Sequence, residues 1–135
     1  MKRVNTDDIQ FGDDYVYRLN DQPFSGIGFE VTESGNVISE IDFLDGMRHG
    51  VSREWSNDGR LWFEHSYVKN TRHGPQREWS ETEKLLSEEE YEYGICLRRV
   101  TWNDDGTIAG HYTLVEGEPQ FELLQSIRAS ITHES

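Results

Sequence analysis

Seven glutamates, Glu78, Glu81, Glu83, Glu88, Glu89, Glu90 and Glu92, crowd one stretch that holds a single lysine, Lys84. Carboxylates at that density can act as acid and base, bind a metal, or attract a cationic partner. Acid–base pairs need only two carboxylates roughly 5–10 Å apart, and an acidic chain supplies many by accident, so no pair stands out. For a metal, His49 and His73 both precede glycine, but they are one repeat apart, about 9–10 Å if the units stack regularly, too far for one zinc. His-Gly reads better as turn chemistry. Cys96 is the sole cysteine, which excludes an internal disulfide and a cysteine-rich zinc site. Arg98 and Arg99 could lower its pKa, although a half-buried, inert thiol is the simpler account. No nucleophile elbow, phosphate-cradling glycine loop or HExxH motif occurs. We therefore assign no catalytic residue, no metal ligand and no cofactor, and expect a protein that is not an enzyme.

Attraction of a cationic partner remains. The chain has 135 residues, 26 acidic against 13 basic, for a formal charge of −13, and so repels phosphate backbones and anionic lipid. Direct nucleic-acid or membrane binding is disfavoured. Hydrophobic residues make up only 34%, but 4 Trp, 6 Tyr and 6 Phe supply enough buried area to distinguish the chain from a disordered acidic one. The length suits one domain. The opening Met1-Lys2-Arg3-Val4-Asn5-Thr6-Asp7-Asp8 lacks the apolar core of a signal peptide, and no run approaches the ~18 apolar residues of a membrane span. A soluble, cytoplasmic protein is expected.

The elements that position the acids follow from internal repetition. Arg53-Glu54-Trp55-Ser56 returns as Arg77-Glu78-Trp79-Ser80, and Arg48-His49-Gly50 as Arg72-His73-Gly74, both at a shift of 24. Trp102, Gly106 and Ile108 continue the pattern 47 residues after Trp55, Gly59 and Leu61. Two turn columns punctuate each unit: Gly46, Asn70, Gly94, Gly117, and Gly35, Gly59, Glu83, Gly106. Both suit positive φ, and Glu83 predicts a looser turn in the third unit. Two turns per unit leave strands of about six to ten residues. Alternation places Val51, Arg53, Trp55 and Leu61, Phe63, His65, Tyr67 on one aromatic face, and Glu54, Glu64 and their equivalents on the other. Trp55 and Trp79 would be core rings, with Arg53 and Arg77 stacked on neighbouring aromatics. Ile38, Trp62 and Leu86 form an apolar column on the polar face.

These residues resemble the variant MORN repeats of bacterial antitoxin and immunity proteins. Asn20-Asp21-Gln22-Pro23-Phe24-Ser25-Gly26 is similar to the family's first-repeat phrase, and residues 53–74 match its core unit best. The resemblance covers about residues 15–117 and fades in the last unit. It implies a binding protein, without chemistry of its own, that neutralises a toxin.

The expected fold is all-β: an antiparallel meander of about four 24-residue MORN-like hairpin repeats in a single twisted sheet. Residues 1–14 form a leading strand or arm, 15–117 the repeats, 118–130 a capping helix and 131–135 a tail, the helix resting on Pro119 and the spacing of Phe121, Leu124, Ile127 and Arg128. In that register Glu30, Glu54, Glu78 and Glu40, Glu64, Glu88 form carboxylate columns. The expected partner-binding residues are Glu54, Trp62, Glu64, Glu78, Glu88, Glu90 and Glu92, docking a basic protein surface such as a nuclease toxin and blocking it by occlusion. Two alternatives stay open: glutamates that only keep a single-layer sheet soluble, and a scaffold or membrane-peripheral module. Edge-to-edge homo-oligomerisation is compatible with an open sheet.

Overall fold

Strands dominate because β-branched and aromatic residues alternate with polar ones between residues that accept positive φ. A computed structural model describes residues 2–134. In chain order the strands are β1 (Arg3–Asn5), β2 (Gln10–Phe11), β3 (Tyr17–Leu19), β4 (Gln22–Pro23), β5 (Gly26–Val31), β6 (Val37–Leu44), β7 (Met47–Trp55), β8 (Leu61–Val68), β9 (Thr71–Arg72), β10 (Gly74–Trp79), β11 (Leu85–Glu92), β12 (Ile95–Trp102) and β13 (Ile108–Thr113). A 3-10 turn spans Thr6–Asp8, and helix α1 spans Pro119–Glu134. The large sheet runs β1-β5-β6-β7-β8-β10-β11-β12-β13, with β9 beside β8.

Three features depart from an antiparallel meander in one sheet. β1 pairs with β5 in parallel, Val4 opposite Gly28. β2, β3 and β4 form a separate three-stranded sheet, so residues 15–23 do not begin the first hairpin unit. The helix continues past the expected 130 to Glu134, through most of the expected tail. Met1 and Ser135 lie outside the described residues.

The small sheet folds over the first units through Tyr17, whose N–H donates to Gly46 O at 2.7 Å. Tyr17 packs on Phe11 at 4.4 Å and on Phe43 at 4.9 Å, with Phe24 on Phe43 at 5.6 Å. Phe24, Phe43, Ile95 and Leu124 are the buried hydrophobic side chains among the described residues. Trp55 and Trp79 are half-buried, not core rings, since a single sheet layer leaves both of its faces partly wet.

The long hairpins are equivalent one by one. Gly35, Gly59, Glu83 and Gly106 donate their N–H to Thr32, Ser56, Ser80 and Asn103. Glu83 takes φ +64°, in the same left-handed region as Gly59 at +89°, so the third turn is not looser than the others. The cross-strand bonds hold the loop at one length and force the glutamate into the glycine's conformation. At the opposite ends, Asp45-Gly46, Lys69-Asn70 and Tyr93-Gly94 turn with paired positive φ. Each then reaches back one unit, Gly46 N–H to Phe24 O, Asn70 N–H to Arg48 O and Gly94 N–H to Arg72 O. His49-Gly50 lies within β7 and not in a turn, and His73 Nδ1 accepts the Tyr93 N–H at 3.0 Å.

The helix is held by buried Leu124 and by two polar contacts. Tyr112 Oη donates to Glu118 at 3.1 Å, and Arg128 makes a forked ion pair with Glu92 at 2.5 and 2.7 Å. No helix among the described residues is long and apolar enough to cross a membrane.

Candidate functional site

Cross-strand register, more than alternation along each strand, sorts the glutamates. Arg53 lies opposite Glu64 and Glu54 opposite Phe63, while Arg77 pairs with Glu64 and Glu78 with Phe63. Directly opposed residues share a face. One row across the sheet therefore reads Phe29, Glu40, Arg53, Glu64, Arg77, Glu88, Val100, His111. The neighbouring row, on the other face, reads Glu30, Ser39, Glu54, Phe63, Glu78, Ser87, Thr101, Gly110. The expected single carboxylate face is thus two faces, because each pair joins an odd-numbered residue to an even-numbered one.

The first row is neutralised. Glu64 accepts from Arg53 and Arg77, both at 2.9 Å, and its side chain is only 17% exposed. Arg77 reaches on to Glu88 at 2.7 Å, and Arg3 pairs with Glu40. The Glu88 hydrogen bond, with Glu64 behind it, raises the Arg77 pKa above the ordinary arginine value. Arg53 and Arg77 consequently do not stack on rings. Arg48 over Tyr67 at 4.4 Å and Arg72 over Tyr91 at 5.7 Å do so instead, one repeat apart.

The second row is not neutralised: among the described residues no cation lies at ion-pair distance from Glu30, Glu54 or Glu78. Trp62 joins this face through a β-bulge. Glu54 opposes Phe63 and Trp55 opposes Leu61, which leaves Trp62 unopposed; a bulge lets such a residue turn out of strict alternation. Its ring stacks on Phe63 at 5.1 Å and stays 49% exposed. Ile38 and Leu86 occupy the same bulge position in the adjacent units. Trp62 walls a groove of about 450 Å³ with Glu30, Ile38 and Glu54, another of about 410 Å³ with Glu78, Glu81, Leu86 and Asp104, and a small cavity of about 90 Å³ with Arg60, Leu61 and Glu81.

Of the expected partner-binding residues, Glu54, Trp62 and Glu78 come together here. Glu64 and Glu88 face the other way in ion pairs. Glu90 lies opposite Arg98 on that same far side, and Glu92 is engaged by Arg128, which holds its carboxyl below the usual range. Glu30, Ile38 and Leu86 complete the grooves and were not among the expected binding residues; the signal for them was their membership of the Glu54 and Trp62 columns. Burial, against the opposing Arg99 charge, raises the Cys96 thiol above its ordinary value, as suits an unreactive cysteine. Among the described residues no three His, Cys, Asp or Glu converge as metal ligands.

Comparison with known proteins adds a relative. The immunity protein YwqK of Bacillus subtilis (strain 168) is 47% identical over 109 residues, spanning 81% of this chain and 71% of that protein. The chain belongs to the YwqK immunity protein family. No family model matches the chain. A solved structure, the GtfA/B complex bound to UDP and GlcNAc, aligns over 92% of this chain at 10% identity and a TM-score of 0.34, too slight a likeness to bear on the fold. The chain spans about a quarter of that structure's chain, 27%.

Proposed function

We propose that this protein is a cytoplasmic immunity protein of MORN-like hairpin units, which binds a toxin bearing a basic surface and neutralises it by occlusion, without catalysis. The family relation supports the immunity role, and a nuclease cleft is one basic surface of the right kind. One observation carries the choice of surface: among the described residues Glu30, Glu54 and Glu78 have no cation at ion-pair distance, beside an exposed Trp62. Unpaired carboxylates steer a cationic partner in, and a central aromatic slows its departure. The opposite face is a poorer candidate, because its acids would have to give up Arg53 and Arg77 first.

The test is growth protection on co-expression with a toxin that the purified protein captures by pull-down. The Glu30→Lys, Glu54→Lys, Glu78→Lys triple variant is expected to fold normally by circular dichroism and to lose protection. The Glu64→Gln, Glu88→Gln double variant is expected to keep it. Protection by the folded triple variant would overturn the proposal.

A further inference from the structure

Resting on the proposed role of the Trp62 face, we infer that the toxin presents to it an extended, polyproline-II-like segment with a basic side chain at every third residue, lying across the strands. The period of the acids matches that of such a segment. Glu30, Glu54 and Glu78 sit on every second strand of one row, so they recur about every 9.5 Å at the usual strand spacing. A polyproline-II segment has three residues per turn and a rise of about 3.1 Å, so residues i and i+3 project on one side about 9.3 Å apart. A β-strand returns to the same side about every 6.7 Å and falls out of step at the second carboxylate. Two turns of α-helix advance about 10.8 Å, and the mismatch accumulates over the three acids.

The apolar complement agrees. Ile38, Trp62 and Leu86 repeat with the same period, and the two grooves flanking Trp62 give the residues between the basic ones an aromatic wall to lie against. Such segments dock in aromatic-lined grooves at low entropic cost because they are already extended.

The experiment titrates the whole protein with three peptides of equal length and charge: two proline-rich ones with arginines at i, i+3, i+6 or at i, i+2, i+4, and a helical one, without proline, with arginines at i, i+7, i+14. Binding is read by calorimetry and tryptophan fluorescence. The i, i+3, i+6 peptide is expected to bind at least tenfold more tightly than either other. Trp62→Ala, whose ring is on the surface, should remove that preference while the protein stays folded. Equal binding of the three peptides, preference for either other spacing, or an undiminished preference in Trp62→Ala would overturn the inference. If the peptides fail to discriminate while the triple lysine variant still loses protection, the inference falls and the proposed role of the face stands. If that variant protects, both fall.

Discussion

His65 Nδ1 and Gln76 Oε1 lie 2.9 Å apart, joining β8 to β10 beside the rings of Phe63 and Tyr67. Gln76 is 2% exposed, and its amide also donates to the Ser66 carbonyl at 2.9 Å. Twenty-four residues earlier the same position holds Ser52, buried with its hydroxyl unpartnered. The polar group is thus satisfied in one unit and orphaned in the other.

This contrast predicts opposite outcomes for the same kind of change. Gln76→Ala takes away the partner of His65 Nδ1, leaves the Ser66 carbonyl with only the His73 N–H, and opens a void, at an expected cost of about 2–4 kcal/mol. Ser52→Ala removes a buried hydroxyl that has no hydrogen bond, so it should be neutral or stabilising by up to about 1 kcal/mol. Urea denaturation midpoints check both. A larger loss for Ser52→Ala than for Gln76→Ala would contradict the hydrogen-bond account.

Glu83 stands in a column of glycines and carries their backbone conformation, φ +64°. A side chain there costs about 1–2 kcal/mol relative to an unstrained residue. Glycine would relieve that strain but add freedom to the unfolded chain. Glu83→Gly is therefore expected to stabilise by about 0.5–1 kcal/mol, seen as a higher melting temperature, whereas Gly59→Ala should lower it.

The Arg128–Glu92 pair links the helix to the end of β11, and it makes helix docking pH-dependent. Arg128, first through its hydrogen bonds and then through its charge, depresses the Glu92 pKa below its ordinary 4.5, with His73 adding to the effect. A depressed carboxylate contributes stability that is complete above its unfolded value and disappears as pH falls through the folded value. Acidification from pH 5 should therefore weaken helix docking progressively, and Glu92→Gln should flatten that dependence. Amide exchange in residues 121–128 measures it; the same pH profile in wild type and Glu92→Gln would reject the coupling.

Much of the architecture was legible in the residues. The 24-residue shift from Arg53-Glu54-Trp55 to Arg77-Glu78-Trp79 marks equivalent strands, and Gly46, Asn70 and Gly94 turn where their tolerance of positive φ allows. Such signals are local, lying within a few residues of the backbone they direct. The candidate site was only half legible. Glu54, Glu64, Trp62 and Glu78 share a charge and composition pattern, yet nothing within one strand says which neighbour each will meet.

By itself the chain of amino acids determined strands, turns, the terminal helix and an excess of acid, because these depend on near neighbours and on composition. Only the tertiary structure decided that Arg53 opposes Glu64 and that Trp62 is bulged beside Phe63. A shift of one residue in register moves every side chain to the other face. That offset is set between strands by hydrogen-bond pairing across the sheet, and it separates the neutralised glutamates from those left facing solvent.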